Sequence, residues 1–438
     1  MWQDAGAPGG CTMSIRRWLS SAPPALFTIY AMGAAFSAYF CMYAFRKPFA
    51  VATYEGQYGD SDLELKILFI TAQVIGYAVS KLAGIKVVSE MTRARRALTI
   101  VACIAVAELA LVGFAVLPVH LKPLALVLNG LPLGMIWGLV YGFLEGRRLS
   151  DLLGAGLCAS FIIASGFVKS VGKALLEAGV PEYWMAATVG GIFLIPMLGF
   201  VFLLAQVPPP DAEDVAERSE RAPMDGPARR AFLLKYAPGL AALVLGYVVL
   251  TAYRDFRDNF AREIWDALGY AADPEIMTTA ELPVAFGSLI AVAAIFKLKD
   301  NRKALAVVHG IMIFGALLTL GSTLAFQMGW LGPAPWMICV GLGLYLGYVP
   351  FNCVLFDRLV AALGAVATAG FLIYVADSAG YVGSVGLLLY KNFGQPDLSW
   401  LEFFKGFSVL TGVVSLVLYG LSAVYFHRQT KPVEAAAS

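Results

Sequence analysis

The sequence has little charge, few histidines and no regular cysteine spacing. Only 14% of its 438 residues are charged, whereas a soluble domain carries about 25%. Its three histidines are dispersed, and its six cysteines are scattered and lie mostly within apolar segments. We therefore expect no disulfide framework, no metal site and no cofactor, and an enzyme is the least favoured class. The net charge of +2 and the lack of a basic patch give no reason to expect nucleic acid as a partner.

The chain is instead rich in apolar residues. They account for 59% of the sequence, and the mean hydropathy is +0.73. A membrane-spanning helix needs about 20 mostly apolar residues. Twelve segments meet this requirement, at about 24–47, 64–88, 96–117, 121–145, 152–177, 183–206, 234–261, 276–298, 303–326, 334–357, 361–391 and 402–427. The sequence therefore predicts an all-α integral membrane protein with twelve transmembrane helices.

One polar segment divides these helices into six and six. Residues 207–230 begin with a Pro-Pro-Pro run and continue with a cluster of acidic residues, a composition typical of a solvated linker. We predict an N-terminal six-helix bundle over 1–206, a linker over 207–230 and a C-terminal six-helix bundle over 231–438.

The loops differ in charge according to the side on which they lie. Loops on one side are rich in Lys and Arg, as at 93–96, 147–148 and 299–303, whereas the opposite loops carry mostly acids, as at 60–62 and 273–275. Because positive loops stay in the cytoplasm, we expect both termini and the linker on the cytoplasmic side of the inner membrane.

A hexapeptide occurs once in each half of the chain. Residues 45–50 read FRKPFA and residues 256–261 read FRDNFA, 211 positions later. A second echo pairs 71–73 (TAQ) with 279–281 (TAE) at an offset of 208. Parallel repeats of six helices with the substrate near the midplane are the major facilitator plan. The repeats thus predict two pseudo-symmetric bundles with a site between them.

Each copy of the hexapeptide puts an arginine at the end of an apolar segment. A charge at the bilayer centre costs about 2.5–3.5 kcal/mol on insertion scales, so it is normally paired or functional. Asp258 follows Arg254 by four residues and is predicted to pair with it. Arg257 would then be the freer cation and would face Arg46 across the pseudo-two-fold axis, and the two could clamp an anion. The alternative is that these arginines lie at helix ends and reach the lipid headgroups.

Further charged and aromatic residues fall within the apolar segments. The candidate substrate-binding residues are Arg46, Arg257, Lys81, Lys169, Tyr43, Lys47, Arg254, Tyr141 and Tyr374. Glu281 corresponds in the repeat to Gln73, and an acid in only one half suits proton coupling, although a structural ion pair with Arg254 or Arg257 is equally possible. Asp377 is a second candidate for coupling or for pairing with Lys169. The candidate gate residues at the cytoplasmic helix ends are Glu145, Arg148, Asp357 and Arg358.

Two short motifs resemble those of the organophosphate:phosphate antiporters of the major facilitator superfamily. Residues 43–49 (YAFRKPF) are similar to the family's Tyr-x-x-Arg-Lys-x-Phe, and residues 76–81 (GYAVSK) are similar to its aromatic-x-x-Ser-Lys run. The resemblance implies that Arg46 and an arginine of the seventh helix bind a phosphoryl group, with Lys81 nearby. A histidine of the family's fifth helix is absent here, and Lys169 lies in that neighbourhood.

These observations lead to one expectation and two alternatives. We expect a monomeric secondary transporter that moves a small, phosphorylated organic anion across the bilayer by alternating access, with inorganic phosphate as the exchanged partner. A proton-coupled symporter of a carboxylate or zwitterion is the first alternative. A transporter-like membrane sensor without turnover is the second.

Overall fold

The structure is a computed structural model. It describes residues 12–59, 63–89, 91–144, 147, 150–210, 226–296, 298–365 and 369–430. Within these ranges the chain is helical apart from short connections. The only extended pairing among them is an isolated bridge between Gln57 and Glu64.

The described residues form seventeen α-helices. They are α1 Thr12–Ser20, α2 Pro24–Met42, α3 Leu65–Ser89, α4 Arg93–Val116, α5 Lys122–Tyr141, α6 Ser150–Glu177, α7 Glu182–Ala205, α8 Gly226–Lys235, α9 Ala237–Asn259, α10 Ala261–Trp265, α11 Ile276–Thr279, α12 Glu281–Phe296, α13 Asn301–Gln327, α14 Pro333–Cys353, α15 Leu355–Leu363, α16 Ala369–Leu389 and α17 Trp400–Gln429.

Twelve of these helices have the length of a membrane crossing or nearly so. Among the described residues, ten spans are both long and apolar enough to cross a bilayer: α2, α4, α5, α6, α7, α9, the α11–α12 pair, α13, α14 and α17. The long helices α3 and α16 complete the set. The predicted all-helical membrane fold is confirmed. The predicted domain boundaries at 206 and 230 stay predictions, and residues 211–225 lie outside the described residues.

The helices pack as two groups. Helices α2 to α7 pack against one another, with α3 against α5 and α4 against both α5 and α7. Helices α9, α13, α14, α16 and α17 pack in the same way, and α12 joins them through α14. We call α2–α7 the N-terminal bundle and α9–α17 the C-terminal bundle. The face that carries α1 and the end of α17 is called the terminal face, and the opposite one the distal face.

Small residues allow close helix contacts at two places that matter for the site. A Cβ on Gly130 would collide with the backbone of α3 at Gln73, so α3 and α5 touch there backbone to backbone. A Cβ on Gly166 of α6 would collide with the carbonyl oxygen of Met277 in α11. The second contact joins the two bundles, as do the contacts of α3 with α16 and of α6 with α12.

The first membrane helix is shorter than predicted. Helix α2 ends at Met42, and short 3₁₀ turns follow at Tyr43–Phe45 and Pro48–Val51. Pro48 lacks a backbone N–H and its ring would clash with the carbonyl four residues earlier, so the α-helix cannot continue through this segment. Arg46 and Lys47 therefore lie on irregular backbone beyond the end of α2, not on the helix as predicted.

Candidate substrate site between the two bundles

Polar side chains of two neighbouring helices hold the segment that carries Arg46. Asn129 of α5 is fully buried and donates to the carbonyl oxygens of Phe45 and Ala107, each at 3.0 Å. Gln73 of α3 donates to the Arg46 carbonyl at 2.9 Å and to the Asn129 side chain at 2.7 Å. The bonds to Phe45 and Arg46 satisfy carbonyls that lack helical partners beyond the end of α2. The backbone of Arg46 is thus fixed by both α3 and α5.

The guanidinium of Arg46 lies over an aromatic ring and has no acidic partner. Its Cζ is 3.8 Å from the centroid of the Tyr77 ring and 5.9 Å from that of Tyr43. No carboxylate among the described residues lies within 4.0 Å of it. Its Nε is buried without a hydrogen-bond partner, and the side chain is only 5% exposed. A buried, unpaired cation of this kind is costly unless an anion binds to it.

Asp258 joins the bundles through two lysines. Its carboxylate lies 2.5 Å from Nζ of Lys47 and 2.5 Å from Nζ of Lys169, and the hydroxyl of Ser165 also donates to it. Lys47 donates in addition to Asn259 at 3.0 Å. The predicted pairing of Asp258 with Arg254 is therefore wrong. The i,i+4 spacing allows that pair, but the carboxylate instead meets the lysines of the opposite bundle.

Both arginines of α9 are paired within the C-terminal bundle. Arg254 contacts the carboxylate of its neighbour Asp255 at 2.7 Å and also the hydroxyl of Tyr348. Arg257 lies 2.7 Å from Glu281 and donates to the Met337 carbonyl at 3.1 Å. The prediction that Arg257 is a free cation is wrong, because α12 brings Glu281 alongside it.

A further ion pair between the bundles involves Lys81 of α3. Its Nζ lies 3.4 Å from the carboxylate of Asp377 in α16, and the hydroxyl of Tyr247 donates to the same carboxylate at 2.5 Å. Asp377 thus pairs with Lys81. The sequence had suggested Lys169 as its partner, but α3 rather than α6 packs against α16. The ring of Trp137 lies 5.6 Å from the ammonium of Lys81.

The ion pairs between the bundles all have the same polarity. Each one described takes its lysine from the N-terminal bundle and its carboxylate from the C-terminal side. The pairs are Lys47–Asp258, Lys169–Asp258, Lys81–Asp377, Lys66–Glu263 and Lys173–Asp266. All but Lys81–Asp377 lie towards the distal face, where α6 ends and α3 begins. The bundles are therefore electrostatically complementary along this interface.

Aromatic pairs close the interface on the terminal-face side of Arg46. Tyr77 lies 5.3 Å from Tyr381 of the other bundle, and Phe161 of α6 lies 6.0 Å from Tyr345 and 6.3 Å from Tyr348 of α14. Arg46 is thus enclosed by ion pairs on one side and by rings on the other. An anion that reaches it must pass one of these two closures.

The remaining candidate residues lie in different places. Tyr43 is buried and packs edge-on against Tyr39, whereas Tyr141 stacks on Trp137 at 5.0 Å. Tyr374 belongs to α16, but its side chain lies outside the description.

The predicted gate is only partly described. Glu145 and Arg148 lie outside the described residues. Arg358 donates to Asn301 at 2.8 Å within the C-terminal bundle, and Asp357 lies in the first turn of α15. The gate role of these residues stays a prediction.

Three side chains that matter here were not among the sequence candidates. Asn129 anchors the Arg46 segment, Ser165 donates to Asp258, and Asp255 pairs with Arg254 and accepts from Ser384 at 2.8 Å. Asn129 is a single amide side chain within the apolar run of α5, and this pattern could have marked it as a candidate. Among the described residues, no group of three or more His, Cys, Asp or Glu could hold a metal ion.

Solved structures of similar architecture are membrane transporters. A D-xylose-proton symporter matches with a TM-score of 0.60 and 13% identity, over 92% of this chain and 97% of its own. A bacterial homolog of the human lysosomal transporter Spinster, inward-facing and unoccupied, matches with a TM-score of 0.62 and 12% identity, over 94% of this chain and 100% of its own. A peptide transporter POT bound to alafosfalin matches with a TM-score of 0.57 and 13% identity, over 97% of this chain and 100% of its own. The chain therefore has the fold of a multi-pass transporter of the major facilitator type.

The sequence itself identifies the family. Residues 48–429 match the model of the family of unknown function DUF5690, and the chain belongs to that family. A comparison with curated proteins found no match.

Proposed function

We propose that this protein is a secondary active transporter that moves a small organic anion across the inner membrane by alternating access. The observation that carries the proposal is Arg46, a buried cation between the two bundles with an aromatic partner and, among the described residues, no carboxylate within 4.0 Å. A guanidinium in such a place favours bidentate binding of a phosphoryl or carboxylate group.

The charge around Arg46 supports an anion with two negative charges. Arg46 and the ion pairs described above together place six cations in this region but only four carboxylates. The cations are Arg46, Lys47, Lys81, Lys169, Arg254 and Arg257, and the acids are Asp255, Asp258, Glu281 and Asp377. A phosphate monoester or inorganic phosphate would offset the excess of two positive charges. Exchange of a phosphorylated anion for inorganic phosphate is thus our leading case, with both termini cytoplasmic.

The two closures around the site support alternating access. An anion on Arg46 reduces the repulsion among the cations and so stabilises the closed arrangement, whereas opening of the distal face separates the lysines from Asp258, Glu263 and Asp266. A ligand shifts such an equilibrium only by its different affinity for the two states. Exchange without net leak is expected when the empty carrier interconverts slowly.

Binding can be tested with purified protein by thermal unfolding. Inorganic phosphate, glycerol-3-phosphate and a dicarboxylate such as succinate are titrated against the wild type, Arg46→Ala and Arg46→Lys, with the exposed Arg95→Gln as a matched control. A folded-state ligand raises the melting temperature by mass action. We expect a rise with the phosphate compounds in the wild type and in Arg95→Gln, and none in Arg46→Ala.

Transport is then measured as exchange in proteoliposomes loaded with inorganic phosphate. We expect uptake of labelled phosphate only against internal phosphate or a phosphate ester. Equal binding and exchange by Arg46→Ala and the wild type would refute the proposed anion site.

A second candidate function is proton-coupled symport of a carboxylate or zwitterion. The observation that favours it is Glu281, which has one oxygen on Arg257 and the other buried without a partner. One of the solved structures with this fold is a D-xylose-proton symporter. In this case Glu281→Gln should abolish uptake driven by a pH gradient but leave exchange intact, whereas the antiport proposal expects no response to a pH gradient in either protein.

A further inference from the structure

A group of arginines lies at the terminal face, away from the site between the bundles. Arg93 and Arg96 are in the first turn of α4, and Arg147 follows α5. Arg93 donates to the carbonyl oxygens of Val207 and of Pro208, the latter at 2.9 Å. Arg147 also donates to the Pro208 carbonyl, so two guanidinium groups converge on one backbone oxygen. We call Arg93, Arg96 and Arg147 the arginine cluster.

Two members of the cluster have only uncharged protein partners. Arg96 donates to the Gly142 carbonyl, and neither Arg93 nor Arg96 has a carboxylate within 4.0 Å among the described residues. The Nε atoms of both are buried without a hydrogen-bond partner. Burial disfavours the charge of Arg93 most, and the positive charges of Arg147, Arg16 and Arg96 add to this effect. Such a concentration of like charge is unfavourable unless an anion compensates it.

The cluster lies beside surface that faces lipid. Leu98, less than two turns beyond Arg93 on α4, is 72% exposed, and Leu109 further along the same helix is 70% exposed. Trp18 of α1 is 49% exposed, and tryptophan is typical of the membrane–water boundary. Arg93 and Arg96 are half-buried, and Arg93 contacts the chain where it leaves α7. The donors are thus at the depth of lipid headgroups.

We propose that the arginine cluster binds the phosphate group of an anionic phospholipid. Guanidinium groups bind phosphate through paired, charge-assisted hydrogen bonds, and basic pockets between membrane helices take up acidic headgroups in this way. The phosphodiester relieves the repulsion among the arginines, while the acyl chains lie along the exposed apolar side of α4. The inference is independent of the proposed transport function.

The test is lipid binding to the full-length protein in nonionic detergent. Phosphatidylglycerol, phosphatidylcholine and inorganic phosphate are titrated separately against the wild type, Arg93→Gln, Arg96→Gln and the double variant. Arg95→Gln removes an exposed charge from the same turn and is the matched control. Melting temperature and lipid adducts in native mass spectrometry are read in parallel. Lysine replacements at 93 and 96 retain the charge if the glutamine variants fold poorly.

We expect phosphatidylglycerol to raise the melting temperature and to form adducts, with about fivefold weaker binding for each cluster arginine removed. Phosphatidylcholine should have little effect, and Arg95→Gln should behave as the wild type. Equal binding of phosphatidylglycerol by the wild type and both glutamine variants would overturn the proposal. So would a phosphate response that is lost with Arg93→Gln but kept in Arg46→Ala, because the cluster would then be a site for free phosphate.

Discussion

Arg46 lies with its guanidinium carbon 3.8 Å from the centre of the Tyr77 ring, and that ring is 5.3 Å from Tyr381 of the other bundle. A cation of the N-terminal bundle is therefore linked to the C-terminal bundle through two aromatic rings. A cation held by a ring keeps its hydrogen-bond donors available, whereas a cation held by a carboxylate does not. This difference separates Arg46 from Arg254 and Arg257.

The face of the Tyr77 ring, which holds Arg46, should contribute to anion binding. A desolvated cation–π contact is worth about 2 kcal/mol, which corresponds to about a 30-fold change in affinity. We expect Tyr77→Leu to weaken anion binding by up to this factor, while Tyr77→Phe, which retains the ring, stays close to the wild type. Calorimetric titration of the anion found in the thermal screen measures both. An equal loss in the two variants would show that the hydroxyl, not the ring, is needed.

Asp258 should keep the distal face closed. It pairs with two lysines of the opposite bundle, and removing one partner of a buried ion pair costs about 3–5 kcal/mol. In Asp258→Asn this cost falls mainly on the closed state, because opening returns Lys47 and Lys169 to water. Maleimide labelling of a Ser170→Cys reporter should therefore be at least about tenfold faster.

The control for Asp258→Asn is an exposed ion pair. Glu402 is 55% exposed and pairs with Lys405 three residues on, so Glu402→Gln should leave the labelling rate unchanged. If Asp258→Asn labels at the wild-type rate, then the lysines are not what holds the distal face closed.

The long membrane helices and their order could be predicted from sequence because apolar length determines them, whereas the short helices α10, α11 and α15 were not predicted. Several charged residues of the interface, such as Arg46, Lys81 and Asp377, could also be identified, since each interrupts an apolar run, whereas Asp255 and Glu263 were missed. Their partners could not: the i,i+4 spacing favours Arg254 with Asp258, but Asp258 meets Lys47 and Lys169 only because the bundles pack at α6 and at the end of α2. Pairing across 89 to 211 positions depends on tertiary contacts that local spacing does not contain.

The close approach of α6 to α11 should be sensitive to one methyl group. A Cβ on Gly166 would collide with the Met277 carbonyl and press on Glu281, whereas a Cβ on the exposed Gly199 of α7 meets nothing within 4 Å. We expect Gly166→Ala to lower stability by about 1–3 kcal/mol through overpacking. Gly199→Ala should be neutral or stabilising by up to about 1 kcal/mol, since alanine favours helix. Unfolding in detergent measures both, and equal stability of the two variants would contradict this contact.

The start of α13 should contribute a pH-dependent term to stability. Asp300 accepts hydrogen bonds from the backbone N–H of Lys303 and Arg302, and these lower the pKa of Asp300 from its ordinary value of 3.8. A carboxyl with a lowered folded-state pKa stabilises the fold above its unfolded-state pKa and loses that effect as the pH falls. Asp300→Asn keeps a capping oxygen that does not titrate. The difference in melting temperature between wild type and Asp300→Asn should therefore shrink below about pH 4, and a constant difference would contradict the role of the charge.

Alternating access itself predicts that a covalent bond across the distal closure stops transport. The hydroxyls of Ser170 in α6 and Thr278 in α11 lie 2.7 Å apart, so they join the two bundles directly. Ser170→Cys combined with Thr278→Cys, in a background without the native cysteines, should form a disulfide under mild oxidation, because the sulfur atoms would replace two oxygens that are already in contact. Oxidation should abolish exchange in proteoliposomes and a reducing agent should restore it, while each single variant stays active throughout. Because the bond traps one of the two required states, full exchange by the oxidised double variant would show that the distal closure does not open during transport.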